Sequence, residues 1–373
     1  MRVLLCMGTR PEIIKMAPLY IEMKRRSEFE PLICFSGQHR EVAGEVLDYF
    51  KIKPDLGFCA MREGQSLSEM NIKLLNFFDE AIEDIKPDIA LVHGDTATAF
   101  SAALSAFYKG VKIGHIEAGL RTYSTRNPFP EEMYRVSIDA MAGIHFAPTE
   151  AARKNLEAEG RSTVFTVGNT VIDALKYTVR KDYSSSLLCE ADGRKIVLLT
   201  THRRENIGEK MHSALLGVGD ALREREDVYC ILPAHPNPLV REEISRAFEN
   251  IKNIKICEPL PMYDFHNILA RSHLTLTDSG GIVEEAAYLG IPIFILRDTT
   301  ERAEAIEGGN ARLLGTDRED VKMALKNALD NPDFTEPMRK PSAAFGDGRA
   351  SEKIADLLRH IGAEFDYRDV SLN

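Results

Sequence analysis

Short apolar runs rich in β-branched residues alternate with longer amphipathic stretches along nearly the whole chain, and the pattern starts again about halfway. Runs of this kind need burial on both faces, which a parallel sheet covered by helices provides. They fall at 2–7, 31–35, 89–93, 112–116, 145–147 and 164–167, then resume at 195–200, 228–232, 254–257, 274–277 and 292–296. At 373 residues the chain also exceeds what one hydrophobic core organises. The expected fold is therefore α/β, with two Rossmann-like doubly wound domains at 1–170 and 194–373. A polar, Ser-rich linker region is placed at 171–193, and a last amphipathic segment, 350–360, is placed in the second domain, packing across the junction. Functional loops in such domains lie at the carboxyl ends of strands, so a cleft between the two domains is the expected site.

Composition narrows the ligand. A formal net charge of −10 argues against a nucleic-acid partner, which calls for a basic surface. Cys6, Cys34, Cys59, Cys189, Cys230 and Cys257 are scattered, several within strand-like runs, and read as buried thiols of a reducing compartment. No Cys-x-x-Cys and no His pair at helical spacing beside a carboxylate occurs, so no metal is expected. The apolar run after Met1 and Arg2 is too short for a signal core or a membrane span, and a cytoplasmic location is the expectation.

The strand ends carry the chemistry. The run 274–277 leads into Asp278, Ser279, Gly280 and Gly281, where backbone N–H groups and a helix start would hold phosphate. Glu284 and Glu285 follow, as helix-capping carboxylates or as acceptors for ribose hydroxyls. The turn after the first run lacks a Gly-x-Gly-x-x-Gly fingerprint, so a nicotinamide cofactor is not expected there, while Arg10 and Lys15 flank its helix start as a second anion site. Asp95 and Glu117 each stand at a strand's carboxyl end, and Glu131 lies in the first turn of a helix opened by Pro130. Asp95 as a plain N-cap and Glu131 as an ordinary helix start are the simpler alternatives. Carboxylates converging on one cleft suit proton transfer. In the second half His202 stands beside Arg203 and Arg204, a combination suited to an anion, whereas His235 reads equally as structural or ligand-binding. Arg302 follows the run at 292–296, in a loop that would close over phosphate or sugar.

Taken together, Gly8-Thr-Arg-Pro-Glu-x-Ile-Lys-Met-Ala-Pro18, Val92-His-Gly-Asp-Thr96, His115-x-Glu-Ala-Gly-Leu-Arg121, Gly168-Asn-Thr170, His202-Arg-Arg-Glu205, Thr277-Asp-Ser-Gly-Gly281 and Arg297-Asp-Thr-Thr-Glu-Arg302 resemble the non-hydrolysing UDP-N-acetylglucosamine 2-epimerases. The resemblance runs in order over nearly the whole chain. It implies a GT-B architecture, a homodimer, no cofactor, and interconversion of UDP-GlcNAc and UDP-ManNAc. It also implies that Arg10, Lys15, His202, Phe265, Ser279, Gly280, Gly281, Glu285 and Arg302 hold UDP. Asp95, Glu117 and Glu131 would surround the sugar, and with His202 would form the catalytic set. Gln38, Glu131, Arg203 and His235 match an allosteric UDP-GlcNAc site of bacterial members, from which Glu41 and Gly64 depart. A hydrolysing 2-epimerase, a GT-B glycosyltransferase and a non-catalytic UDP-sugar sensor are the competing readings.

Overall fold

The computed structural model describes residues 1–37, 40–59, 64–126, 128–203, 206–223 and 225–361. Strands β1 (Arg2–Met7), β2 (Glu30–Phe35), β3 (Leu56–Gly57), β4 (Ile89–His93), β5 (Lys112–Ile116), β6 (Ile144–Ala147) and β7 (Val164–Thr166) form one parallel sheet in the order β3-β2-β1-β4-β5-β6-β7. Strands β8 (Lys195–Thr200), β9 (Val228–Pro233), β10 (Ile254–Cys257), β11 (Leu274–Thr277), β12 (Ile293–Ile295) and β13 (Ala311–Leu313) form a second, in the order β10-β9-β8-β11-β12-β13. Every run expected from the sequence is a strand. The additional β3 and β13 are two and three residues long, too short for alternation to register. Each order reverses once, at β1/β4 and at β8/β11, and such a reversal opens a crevice at the carboxyl ends of the two strands.

The chain forms two compact units, Met1–Ala174 together with the segment from Gly346, and Leu175–Phe345. Leu4, Phe78, Ala103 and Ile113 are among the residues that fill the core of the first. Leu199, Leu215, Leu232, Leu276 and Phe294 lie in the core of the second. Burial of each large side chain contributes roughly 1.5–3 kcal/mol against the entropy of ordering the chain.

The helix Ala350–Ile361 corrects the expected domain limits, because it folds into the first unit and not the second. Its apolar stripe, Ile354, Ala355 and Leu358, is buried, and the helix packs against the helix Arg10–Lys24. Asp173 caps it, accepting hydrogen bonds from the N–H groups of Ala350 (3.1 Å) and Ser351 (2.8 Å), and Arg26 pairs with Asp356 at 2.7 Å. The stretch 171–193 also differs from a plain linker. It contains most of the helix Thr170–Thr178 and the whole of Ser186–Ala191, the latter capped by Ser185.

Candidate functional site

In the first unit the chain leaves β1 through Gly8 and Thr9 into the helix Arg10–Lys24. Thr9 caps this helix in a reciprocal box with Glu12. Glu12 is buried and accepts from the Gly8 N–H (3.0 Å), the Thr9 N–H (2.7 Å), the Thr9 hydroxyl (2.7 Å) and the Thr96 hydroxyl (2.6 Å). Burial raises its pKa and these hydrogen bonds oppose the rise. With so many donors already satisfied, Glu12 ties the ends of β1 and β4 together.

One helical turn beyond Glu12, Lys15 reaches Glu117 at the end of β5, with Nζ 2.6 Å from Oε1. Asn169, in the segment after β7, donates to the same oxygen at 2.8 Å. His93, the last residue of β4, puts Nδ1 3.6 Å from the other carboxylate oxygen. Lys15 and Glu117 are 16% and 10% exposed, so the pair is largely enclosed. Glu117 has a left-handed backbone (φ 63°), as does its neighbour Gly94 (φ 66°). A Cβ on Gly94 would stand 3.2 Å from Glu117 Oε2, so glycine there leaves room for the carboxylate.

A buried network holds this arrangement from below. His115 faces the Asp139 carboxylate through Nδ1 at 2.6 Å and the Gly94 carbonyl through Nε2 at 2.8 Å. Burial pushes Asp139 up, but His115 and Arg121 bring it down to about 2, so it remains a carboxylate. His93 is the opposite case. Burial holds its pKa at about 3 despite Glu117, leaving a neutral imidazole whose buried Nε2 has no hydrogen-bond partner among the described residues.

Asp95 is not a helix cap. Thr96 caps the helix Ala97–Tyr108, accepting from the Ala99 N–H at 3.0 Å, while Asp95 pairs with Arg135. Arg135 also binds Glu132 at 2.8 Å, and Glu132 accepts from the Thr122 and Tyr123 N–H groups at 2.9 and 3.0 Å. The adjacent acids Glu131 and Glu132 therefore differ in use. Glu132 is committed to the scaffold, and the buried Glu131 Oε2 has no partner among the described residues.

The second unit repeats the topology with other chemistry. The Asp278 carboxylate, after β11, accepts from the Thr201 hydroxyl (3.0 Å) and from the N–H groups of His202 (3.0 Å) and Arg203 (3.0 Å) after β8. Thr200 and Thr277 join the same two strands through a hydroxyl contact of 2.7 Å. Ser279 stands at the N-cap of the helix Gly280–Leu289 and makes no side-chain cap bond. Arg302 pairs with Glu284, and Arg203 with Glu301 at 3.0 Å. Glu285 lies 3.5 Å from His266, and its buried Oε2 has no partner among the described residues. Phe265 meets His266 edge to face, with ring centroids 6.3 Å apart.

His202 stacks on His235 at 5.7 Å, and its Nδ1 lies 3.4 Å from Asp278. Burial and the neighbouring His202 lower the pKa of His235. Arg10, half-buried, opens its helix beside Thr9. Gln38, Arg204 and Glu205 lie outside the described residues. Sequence reasoning missed His93, Asn169, Arg135 and Asp278 as parts of these clusters. His93 and Asn169 stood inside quoted motifs at strand ends, which was the available signal, whereas the pairing of Arg135 with Asp95 spans forty positions. Among the described residues, no group of three or more His, Cys, Asp or Glu is arranged to hold a metal ion, and no helix is long and apolar enough to cross a membrane.

Residues 21–359 match the family model described as UDP-N-acetylglucosamine 2-epimerase. The Bacillus subtilis UDP-N-acetylglucosamine 2-epimerase is 46% identical, over 97% of this chain and 96% of its own length. S. aureus MnaA, solved with UDP, superposes with a TM-score of 0.91 at 40% identity, covering 98% of this chain and 97% of that one. The Neisseria meningitidis UDP-GlcNAc 2-epimerase, solved with UDP-GlcNAc, gives a TM-score of 0.90 at 38% identity, covering 96% and 100%.

Proposed function

The chain belongs to the UDP-N-acetylglucosamine 2-epimerase family, in a two-unit GT-B fold, and on that premise we propose that it interconverts UDP-GlcNAc and UDP-ManNAc without releasing free sugar. The relatives solved with UDP and with UDP-GlcNAc support this choice of ligand. The observation that carries the reading is Glu117, held at a strand end by Lys15 and Asn169 beside a neutral His93.

The C2 hydrogen of the sugar is not next to a carbonyl, so a carboxylate alone does not remove it. Breaking the C1–O bond toward UDP gives C1 oxocarbenium character and acidifies C2–H. A carboxylate then takes the proton, the C–H pair becomes the C1=C2 bond, and the C1–O pair leaves with UDP, giving 2-acetamidoglucal. Protonation of C2 on the opposite face and return of the UDP oxygen to C1 give the epimer. No net oxidation occurs, so the route calls for no redox cofactor. Asp95, Glu117 and Glu131 serve the proton transfers. Arg10, Lys15, His202, Ser279, Gly280, Gly281 and Arg302 stabilise the departing diphosphate, Glu285 accepts from the ribose, and Phe265 packs on the nucleotide.

The test is incubation with UDP-GlcNAc in D2O followed by NMR. The expected product is UDP-ManNAc carrying deuterium at C2, with no accumulation of free ManNAc. Protium retained at C2 rules out the elimination route. Free ManNAc as the product makes the protein a hydrolase, and binding without turnover makes it a sensor.

A further inference from the structure

One carboxylate of the second unit lies at the helix start proposed above to hold phosphate. The loop after β12 runs through Arg297, Asp298, Thr299, Thr300, Glu301 and Arg302, and Glu301 turns back over the start of the helix Gly280–Leu289. A Cβ built on Gly280 would lie 3.1 Å from Glu301 Oε1 and about as close to the Arg302 guanidinium, with atoms at 3.5 and 3.6 Å. The space left by the glycine side chain is thus faced by an anionic oxygen, at the positive end of a helix. Three guanidiniums surround that carboxylate. Arg203 Nη2 is 3.0 Å from Oε1, Arg297 Nη1 is 2.7 Å from Oε2, and Arg302 Nη1 is 3.9 Å from Oε1. They come from two loops, after β8 and after β12, so the carboxylate gathers cations that the chain brings from separate places.

We infer that Glu301 is a resident anion of the phosphate cradle, and that a diphosphate ligand binds by displacing its carboxylate from Gly280 and the three arginines. The inference rests on the UDP reading for the identity of the diphosphate. Its physical basis is competition for one set of donors. A helix N-terminus and clustered guanidiniums favour anions, and although Glu284 pairs with Arg302, without Glu301 the three arginines repel one another more strongly. Glu301 relieves that repulsion within the chain. Burial pushes its pKa up, but Arg302, Arg297 and Arg203 bring it down to about 2, so it is charged throughout the neutral range. At 23% exposure it also has a way out toward solvent, which a fully enclosed structural ion pair lacks. A diphosphate carries more charge and more acceptor oxygens than one carboxylate and wins the donors on both counts. The cost is affinity, because only the fraction of molecules with the carboxylate swung away is competent to bind.

Calorimetric titration of the full chain with UDP and, separately, with inorganic pyrophosphate tests this. Glu301→Gln keeps the shape and removes the charge, and Glu301→Asp withdraws the charge by one methylene. The expected order of affinity for both ligands is Gln above Asp above wild type, with the Gln variant about tenfold tighter if the carboxylate occupies the cradle about nine-tenths of the time. Should the Gln variant fail to fold, the Asp variant against wild type still decides the sign. Tighter pyrophosphate binding without UDP binding by any of the proteins keeps the inference and overturns the UDP reading. Pyrophosphate binding that is unchanged, weaker or absent in all of them overturns the inference, whatever UDP does.

Discussion

The crevices of the two units share a topology and differ in what they do with charge. In the first, after β1, β4 and β5, carboxylates are presented and cations hold them, as Lys15 holds Glu117 and Arg135 holds Asp95. In the second, after β8 and β11, the arrangement inverts. Arg203, Arg297 and Arg302 are the presented groups, and Asp278, Glu284 and Glu301 hold them or the loops that carry them. The doubly wound frame provides a place at a switch point and is indifferent to chemistry. The side chains at the strand ends decide it, so that one unit suits proton transfer and the other suits a polyanion.

The comparison breaks most sharply at Glu117. Glu117→Gln should lower C2 exchange by about 10²–10⁴-fold while UDP affinity stays near wild type, because the lost carboxylate serves proton transfer and the groups proposed to hold UDP, Arg10 and Lys15 included, are all retained. Deuterium incorporation and UDP titration are the two readouts. An equal loss in both would mean that Glu117 serves binding, and the division of labour between the crevices would fall.

Asp278 offers the converse test. Removing its carboxylate by Asp278→Ala strands the backbone N–H groups of His202 and Arg203 and should cost about 2–4 kcal/mol in urea unfolding. UDP affinity should fall along with it, whereas Glu117→Gln should leave UDP affinity near wild type. A stable Asp278→Ala protein would show that the loop after β8 is held by something else.

Gly281 separates fold from ligand within one residue. A Cβ there meets nothing within 4 Å, in contrast to Gly280, and the position is helical. Gly281→Ala should stabilise the ligand-free protein by up to about 1 kcal/mol through helix propensity. It should weaken UDP by about tenfold, or about 1.4 kcal/mol, if backbone N–H groups approach the phosphates there. Thermal melts and UDP titration on the same variant read both effects, and unchanged affinity removes Gly281 from the phosphate site.

What could be read from the sequence follows from range. Strand runs, caps and the Ser279-Gly280-Gly281 turn are local patterns, and the structure has the runs as strands. The fate of each acid was not local. Glu131 and Glu132 are adjacent and look alike, yet only burial and the Thr122 and Tyr123 N–H groups tell which one is committed. Likewise the last helix has an amphipathic face that fits any apolar groove, and partners far away in the chain, Asp173 and Arg26 among them, assign it to the first unit. Long-range pairing is invisible to periodicity because periodicity reports a face and not its partner.

A last expected effect concerns pH: among the described residues, each unit has one histidine with a strongly lowered pKa. His93 in the first is held at about 3 by burial, and His273 in the second at about 4 by burial and the nearby Arg339. An unfolded chain takes up a proton on such a residue below about pH 6.5, which the folded chain refuses until its own lower pKa is reached. Stability is therefore fully present above that pH and falls as the medium becomes more acidic, at most about 1.4 kcal/mol per pH unit for a fully buried group. For His93 the fall continues to about pH 3, and for His273 it stops near 4. Urea midpoints between pH 7 and 5 should show this slope, and His93→Gln should flatten it. His273→Asn should flatten it by less, because that imidazole is only partly buried, and the double variant should show the sum, since the residues lie in different units and share no partner. A His93→Gln protein as acid-sensitive as wild type would mean that His93 accepts its proton in the folded state, and the neutral imidazole beside Glu117 would have to be given up.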